Sequence, residues 1–425
     1  MQYYNLKDNS QVVDFQTAVQ TGLGRGQGLF FPKQIQKRTD IDELLALDVV
    51  SRNVKILAPF VADNIDQNSL IEIVKNTFGF TTQLRQVHDH AYCYELFHGP
   101  TLAFKDFGAT FMANCLAQFA QEHKITILTA TSGDTGAAVA HAFYKRPNIQ
   151  AVVLFPEGKV SKLQQSMFTT LGHNIHAYSV AGAFDDCQAL VKQSFDNTEL
   201  VSAVGLNSAN SINISRLLAQ VCYYFEAFAQ LPETERDEVV VSVPSGNFGN
   251  LCAGVIAYCL GLPIKRFIAA TNINDTVPRY LQSGEWSPKE TIATLSNAMD
   301  VSQPNNWPRI QYLIDSGQFP MSALTGFAVD ESQTATSMRA MQTLDYISEP
   351  HAAVAYHSIQ ESLRDGETGI FLGTAHPAKF KSSVDDILGL DIDLPAALVE
   401  SSSRDDLSIN LPNDFQKLEK ALLSL

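Results

Sequence analysis

Residues 125–143 read ITILTATSGDTGAAVAHAF, and this stretch indicates the fold of the chain. The first six residues form a short β-branched apolar run, the next six are small or polar, and the last seven are typical of a helix. A strand that is apolar throughout and leads closely into a helix is the repeating unit of buried parallel sheets. The stretch therefore predicts an α/β protein.

The same alternation continues along the chain and occurs twice, on either side of residues 197–210. Further apolar runs that are typical of strands are AVVLF (151–155), NIHAYSV (174–180), EVVVSV (238–243) and KRFIAATN (265–272). Helical patterns follow or separate these runs. We therefore predict two α/β units with parallel sheets, and a ligand site in the crevice beyond the carboxyl ends of their strands.

The chain is predicted to have three parts. Residues 1–80, with a glycine-rich loop at 22–28 and short helices, are expected to form a separate N-terminal domain. The α/β region is assigned to 81–390. Residues 391–425, rich in Ser and Asp, are expected to form a surface tail with a closing helix.

Composition excludes several classes of function. The 425 residues are 45% hydrophobic and 18% charged, as in an ordinary globular protein. A formal net charge of −15 disfavours nucleic acid and anionic membranes, so an anionic substrate would need a locally basic pocket. The absence of a signal pattern or of about 18 consecutive apolar residues predicts a soluble cytoplasmic protein. The six cysteines form no Cys-x-x-Cys pair, and no His/Cys cluster predicts a metal site.

One lysine stands in an aromatic setting. Residues 98–111 read HGPTLAFKDFGATF, which places Lys105 between Phe104 and Phe107 where a loop becomes a helix. Partial dehydration disfavours the ammonium form, as a lysine that forms a Schiff base requires. The alternative is a solvated surface lysine, which is the common state of this residue type.

A glycine-containing turn opens the helix after the strand EVVVSV. Residues 243–250 read VPSGNFGN, and converging backbone amides at a helix N-terminus could hold a phosphate. The turn has no lysine of the nucleotide-binding pattern, which favours a single phosphate monoester over ATP. An ordinary capped turn is the alternative. The candidate residues are Ser245, Gly246, Asn247, Phe248, Gly249 and Asn250.

Two further turns follow predicted strands. In TSGDTG the candidates are Ser132, Gly133, Asp134 and Thr135, whose hydroxyls and amides could hold a carboxylate or phosphate. In GIFLGTAHPAKF (369–380) the candidate is Thr374, whose hydroxyl could face a pyridine nitrogen and leave that ring largely neutral. Both turns could instead be simple helix caps. The glycines of residues 22–28 do not match a dinucleotide fingerprint.

These four motifs, in their order along the chain, resemble those of the tryptophan-synthase-β class of pyridoxal-phosphate enzymes, called fold type II. Within it, SINISRLLAQ (211–220), NINDTVPRYL (272–281) and NAMDVSQPNNWPR (297–309) look like the threonine synthase family of bacteria and fungi. The resemblance covers nearly the whole chain. It departs from the family pattern at residues 349–356, EPHAAVAY.

The resemblance implies a pyridoxal phosphate enzyme that converts O-phospho-L-homoserine and water to L-threonine and phosphate. Lys105 would hold the cofactor and move the Cα proton, residues 246–250 would bind the cofactor phosphate, and Thr374 would face its ring nitrogen. Residues 132–135 would bind the substrate carboxylate or phosphate. The cation candidates for the substrate phosphate are Lys159, Lys162 and Arg216.

Other functions remain open from the sequence. A serine/threonine dehydratase or cysteine synthase has the same fold, although the N-terminal domain and NAMDVSQPNNWPR argue against both. A non-catalytic relative that binds the cofactor is a second alternative, and a nucleotide-binding protein a weaker third. The oligomeric state, monomer or homodimer, is left open.

Overall fold

The computed structural model describes residues 1–119 and 124–425. Within these ranges no helix has both the length and the apolar character that a membrane crossing requires. The elements of the N-terminal part are β1 (Tyr3–Asn5), β2 (Asp8–Val13), α1 (Phe15–Thr21), β3 (Leu23–Gly24), β4 (Gly28–Pro32), α2 (Ile41–Leu45), α3 (Val49–Val61) and α4 (Gln67–Thr77).

The middle of the chain alternates strands and helices. In order these are β5 (Gln83–His88), β6 (Ala91–Glu95), α5 (Lys105–Phe119), β7 (Ile125–Ala130), α6 (Asp134–Phe143), β8 (Ile149–Pro156), α7 (Lys162–Thr169), β9 (Ile175–Val180), α8 (Phe184–Asp196), α9 (Thr198–Val204), β10 (Leu206–Ser208) and α10 (Ile214–Gln230).

The remaining elements complete the second half. They are β11 (Val239–Pro244), α11 (Gly249–Cys259), β12 (Ile264–Thr271), α12 (Thr276–Ser283), α13 (Trp307–Asp315), β13 (Leu324–Ala328), α14 (Glu331–Gln342), α15 (Pro350–Ser362), β14 (Thr368–Gly373), α16 (Lys381–Leu388), α17 (Ala396–Ser402), β15 (Ile409–Leu411) and α18 (Phe415–Leu423).

The N-terminal part is an antiparallel sheet with helices. Its strand order is β2-β1-β4-β3. Asp14, Asp48 and Asp66 cap α1, α3 and α4 by accepting backbone N–H bonds, which explains why these helices begin where they do. The N-terminal part does not have a core of its own, because the Phe15 ring of α1 packs against Phe111 of α5 at 6.5 Å between centroids, and its buried residues belong to the same apolar cluster as those of the α/β region. The predicted N-terminal domain thus shares its apolar core with the α/β region.

Two α/β sheets form the rest of the molecule, as predicted. The first has the order β10-β7-β8-β9-β15 and is parallel throughout. The second has the order β13-β12-β11-β14-β6-β5, in which β5 pairs antiparallel with β6 and the other pairs are parallel. Every residue of β7 and of β11 is buried, which is why these strands are apolar runs without alternation.

The C-terminal segment differs from the predicted tail with one helix. Residues 409–411 pair in parallel with β9 and so add an edge strand to the first sheet. The α18 side chains Leu418 and Leu422 are buried against the helices of that unit. A three-residue strand in a polar stretch shows no periodicity, so only the neighbouring edge of β9 makes it recognisable.

The strand order places several loop ends together. The loops that follow β7, β11 and β14 all leave the carboxyl ends of parallel strands and line one cavity. The segment before α5 is attached to the same place, since the N–H of Phe104 donates to the carbonyl of Thr374 at 2.9 Å and the N–H of His376 donates to that of Leu102 at 3.0 Å.

Candidate active site

A cavity of about 530 Å³ lies between the two sheets at the start of α5. Most of the predicted site residues line it, namely Lys105, Ser132, Asp134, Thr135, Lys159, Arg216, Ser245, Gly246, Asn247, Phe248, Gly249, Asn250 and Thr374. Two predicted residues do not. Gly133 is buried within its loop, where a Cβ would come within 2.7 Å of Gln164. Lys162 lines a neighbouring pocket instead.

The position of Lys162 requires a correction. It is the exposed first residue of α7 and lines a second pocket of about 550 Å³, which Lys159 also borders. Only Lys159 reaches the first cavity as well. Lys162 is therefore withdrawn as a candidate for binding an anion in the main cavity.

Lys105 is the first residue of α5. Burial lowers the pKa of its ammonium to about 8, Asp134 opposes that shift, and Arg216 and Lys379 add to it. The helix N-terminus also disfavours a positive charge. At a pKa of about 8, roughly a tenth of Lys105 is neutral amine at pH 7, and this is the form that attacks a carbonyl carbon.

Asp134 forms a buried ion pair that the sequence did not indicate. Its Oδ1 accepts from Nζ of Lys379 at 2.7 Å and from Nε2 of Gln164 at 3.0 Å. Burial opposes ionisation, but Lys379 and Lys105 together hold the pKa of the Asp134 carboxyl below its usual range. The Asp134 carboxylate repels carboxylate and phosphate, so the contact with a substrate anion that the sequence predicts for this residue would be made by its backbone N–H at the start of α6.

The loop between β11 and α11 is built for close approach by a ligand. Phe248 has φ of 59°, in the left-handed region. A Cβ on Gly246 would lie 2.8 Å from Cα of Met299 and 2.9 Å from the carbonyl oxygen of Ala298, so only glycine fits. The first turn of α11 supplies backbone N–H groups that lack partners within the helix. These features suit a phosphate group.

Asn250 completes this loop and is oriented by two tyrosines. Its Oδ1 accepts from the hydroxyl of Tyr223 at 2.5 Å and from that of Tyr224 at 2.7 Å. Its Nδ2 is buried and, within the described part of the chain, has no hydrogen-bond partner. A buried donor of this kind at a cavity wall indicates a ligand acceptor.

Thr374 follows the end of β14 in the cavity wall and is 7% exposed. The Ala103–Ala375 bridge holds this segment against the start of α5. A hydroxyl at this position can meet a pyridine nitrogen without protonating it.

His351 is a cavity residue that sequence reasoning missed. Its Nδ1 is 2.5 Å from Oε2 of Glu349, and its Nε2 accepts from the N–H of Ala298 at 3.2 Å. The histidine therefore supports residues 297–299, which form the wall opposite Gly246. The sequence feature that could have indicated His351 is EPHAAVAY, the segment that departs from the family pattern.

Arg216 is a buried cation on α10. Its Nη1 donates to the carbonyl of Ala209, and its Nε has no partner among the described residues. Burial lowers the pKa of the guanidinium to about 10. Across residues 1–119 and 124–425 no carboxylate lies within ion-pair distance of it. A buried charge without a counterion is costly, so this side of the cavity favours an anionic ligand.

The residues present fit pyridoxal phosphate: an amine with a lowered pKa, a phosphate-binding turn and a hydroxyl for the ring nitrogen. Residues 82–372 match the family described as pyridoxal-phosphate dependent enzyme. Fold and site together define the protein as a pyridoxal-phosphate enzyme of fold type II.

More specific matches cover both ends of the chain. Residues 2–78 match the threonine synthase N terminus and residues 352–422 the threonine synthase C-terminal family. The threonine synthase of Escherichia coli is 58% identical over the full length of both chains. Its crystal structure has a TM-score of 0.96 with this one, covering 100% of each chain. A threonine synthase structure with bound pyridoxal phosphate, from Brucella melitensis, is 34% identical with a TM-score of 0.91, covering 100% of this chain and 99% of the other. The chain belongs to the threonine synthase family.

Proposed function

We propose that the protein converts O-phospho-L-homoserine and water to L-threonine and inorganic phosphate, the last step of threonine biosynthesis. The observation that carries this proposal is a single cavity that contains both Lys105, an amine with a lowered pKa, and Arg216, a buried cation with no carboxylate partner in the described chain. The first suits a carbonyl cofactor and the second suits a substrate that bears an anion.

Bound pyridoxal phosphate supplies an electron sink for the negative charge that develops when a proton leaves the substrate. Lys105 binds the cofactor and then, as a free amine, takes the proton from Cα and later returns it. The turn of residues 245–250 holds the cofactor phosphate with backbone amides and the Asn250 amide. Thr374 meets the ring nitrogen through its hydroxyl.

The remaining cavity residues bind the substrate. Arg216 and Lys159 are proposed to hold its phosphate, which is a dianion and benefits from two cations. Ser132 and Thr135 offer hydroxyls, and the buried backbone of Gly133 shapes the loop that presents them. With the phosphate held at Cγ and the amine of Lys105 at Cα, both bonds that change early in the reaction are in contact with protein groups.

The test is to purify the protein, record its visible absorption, and add O-phospho-L-homoserine while assaying free phosphate and threonine. Equal amounts of both products from wild type, and none from Lys105→Ala, are expected. A coloured protein that deaminates serine or threonine but releases no phosphate would show a dehydratase instead. A coloured protein without turnover of either substrate would show a non-catalytic relative.

We also propose that the protein acts in the cytoplasm as a monomer or homodimer. The net charge of −15 disfavours nucleic acid as a partner, because binding to the phosphate backbone requires clustered Lys and Arg.

A further inference from the structure

Lys379 lies outside every role assigned above, although its ammonium group is completely buried. It sits in the short helical turn Pro377–Phe380, just after β14. Its Nζ donates to Oδ1 of Asp134 and to the carbonyl of Thr101, each at 2.7 Å. Burying a lysine costs free energy unless its ammonium group is paired and fully hydrogen-bonded. Lys379 therefore does more than keep the surface soluble.

The two partners of Lys379 belong to different parts of the site. Asp134 begins α6 in the first α/β unit, and Thr101 lies in the segment that leads into α5 and Lys105. Thr101 in turn donates its N–H and hydroxyl to the carboxyl of Asp106, at 2.9 and 2.5 Å. One ammonium group therefore connects the end of β14, the loop after β7 and the start of the helix that carries the reactive amine.

We propose that Lys379 is a positioning residue, which ties the Asp134 carboxylate and the segment before Lys105 to one buried ammonium group and so fixes the charges around the Lys105 amine. This inference rests on the proposed role of Lys105 as the lysine that binds the cofactor. It concerns how readily that lysine loses its proton.

The electrostatic consequence has a definite sign. Burial lowers the pKa of Lys105 most, Asp134 raises it, and the cations Arg216 and Lys379 lower it. Removing the charge of Lys379 takes away a repelling cation, so the Lys105 amine would be neutral only at higher pH. Removing the charge of Asp134 takes away an attracting anion and shifts the same change to lower pH.

The measurement is the rate at which the full-length chain, freed of cofactor, captures added pyridoxal phosphate as a function of pH. In this step the neutral nitrogen of Lys105 bonds to the aldehyde carbon, and the aldehyde oxygen leaves as water with the two amine protons. Only the neutral amine reacts, so the midpoint of the pH profile reports its protonation. Catalytic turnover is not involved.

We expect the profile of Lys379→Met to move up by about one pH unit, and that of Asp134→Asn to move down by a similar amount. Lys379→Arg keeps the charge and is expected to stay close to wild type. Thermal unfolding of each variant records any loss of stability separately.

A Lys379→Met profile that coincides with wild type, with only the unfolding temperature lowered, would overturn the inference and leave Lys379 a purely structural residue. If Lys379→Met does not fold, an Asp134→Asn profile that fails to move down has the same meaning. Lys105→Ala separates the two proposals: continued capture by that variant removes the assigned role of Lys105, whereas loss of capture upholds it whatever Lys379 does.

Discussion

The loops after β7 and β11 occupy equivalent positions in the two sheets but recognise ligands by different means. The β7 loop contains a buried ionised carboxylate, Asp134, paired with Lys379. The β11 loop lines the cavity with uncharged residues, among them Gly246 and Asn250, and offers a ligand amide groups instead of charged side chains. A charged loop beside Lys105 can control protonation, whereas a neutral loop can hold a phosphate without altering that control. Control of the Lys105 proton and binding of the cofactor phosphate are therefore assigned to opposite sides of the cavity.

The substitution Gly246→Ala should disturb the neutral β11 loop most. Gly246→Ala places a methyl group against the backbone of Met299 and Ala298, which cannot retreat as a flexible side chain could. We expect the affinity for pyridoxal phosphate to fall by about 100-fold or more, equivalent to at least about 2.7 kcal/mol. Titration of the cofactor-free chain measures it. The matched control is Gly389→Asn, at the left-handed C-cap of α16 with open space around it. Equal cofactor affinity in both variants would contradict the assignment of this loop.

The next effect concerns the charged half of the cavity. Arg216→Met removes the buried guanidinium while keeping much of its apolar stem. We expect KM for O-phospho-L-homoserine to rise about 100-fold, since a buried charge contact contributes about 2–5 kcal/mol, with the cofactor spectrum unchanged. Steady-state kinetics measure KM, and the visible spectrum shows whether the cofactor is bound as in wild type. A loss of cofactor colour with unchanged KM would show that Arg216 binds the cofactor and not the substrate.

A smaller effect separates two neighbouring lysines. Lys159→Met is expected to raise KM about tenfold because this exposed cation borders the main cavity, where solvent weakens its contact. Lys162→Met faces only the second pocket and should leave KM within about twofold of wild type. Kinetics of the two variants side by side decide between them. Similar increases in both would restore Lys162 as a substrate ligand.

The smallest change that we expect in cofactor affinity comes from the residues that orient Asn250 in the neutral β11 loop. Tyr224→Phe removes the hydroxyl that donates to both the side-chain Oδ1 and the backbone carbonyl oxygen of Asn250, while the Tyr223 hydroxyl still donates to Oδ1. One hydrogen bond contributes about 1 kcal/mol, so cofactor affinity should fall about fivefold. Equilibrium titration with pyridoxal phosphate checks this. An unchanged affinity would mean that Asn250 is held by Tyr223 alone.

The sequence predicted the four loops of the cavity because each is a local pattern, a polar turn between an apolar run and a helix. It could not predict Lys379, whose contacts with Thr101 and Asp134 join residues far apart in the chain. Its motif, HPAKF, is also compatible with an exposed cap. The error at Lys162 has a similar cause. Two lysines three residues apart are equivalent in a sequence, and only the folded chain shows that Lys159 borders both pockets and Lys162 only the second.

The fold shows the same difference between local patterns and long-range contacts. Strands buried on both faces, such as β7 and β11, were evident as apolar runs. The edge strand β15 and the shared core between Phe15 and Phe111 were not, because both depend on partners distant in sequence. Local composition determines elements, and long-range pairing determines how the terminal parts join them.

We propose that Lys105, and not its buried neighbour Lys379, is the amine that binds the cofactor. Reduction of the cofactor-loaded protein with borohydride makes the carbon–nitrogen bond permanent, and mass spectrometry of its peptides then locates the label. We expect the pyridoxyl group on Lys105, because among the described residues it alone is an amine that lines the cavity with a pKa lowered to about 8. A label on Lys379 or Lys159, with Lys105 unmodified, would contradict it.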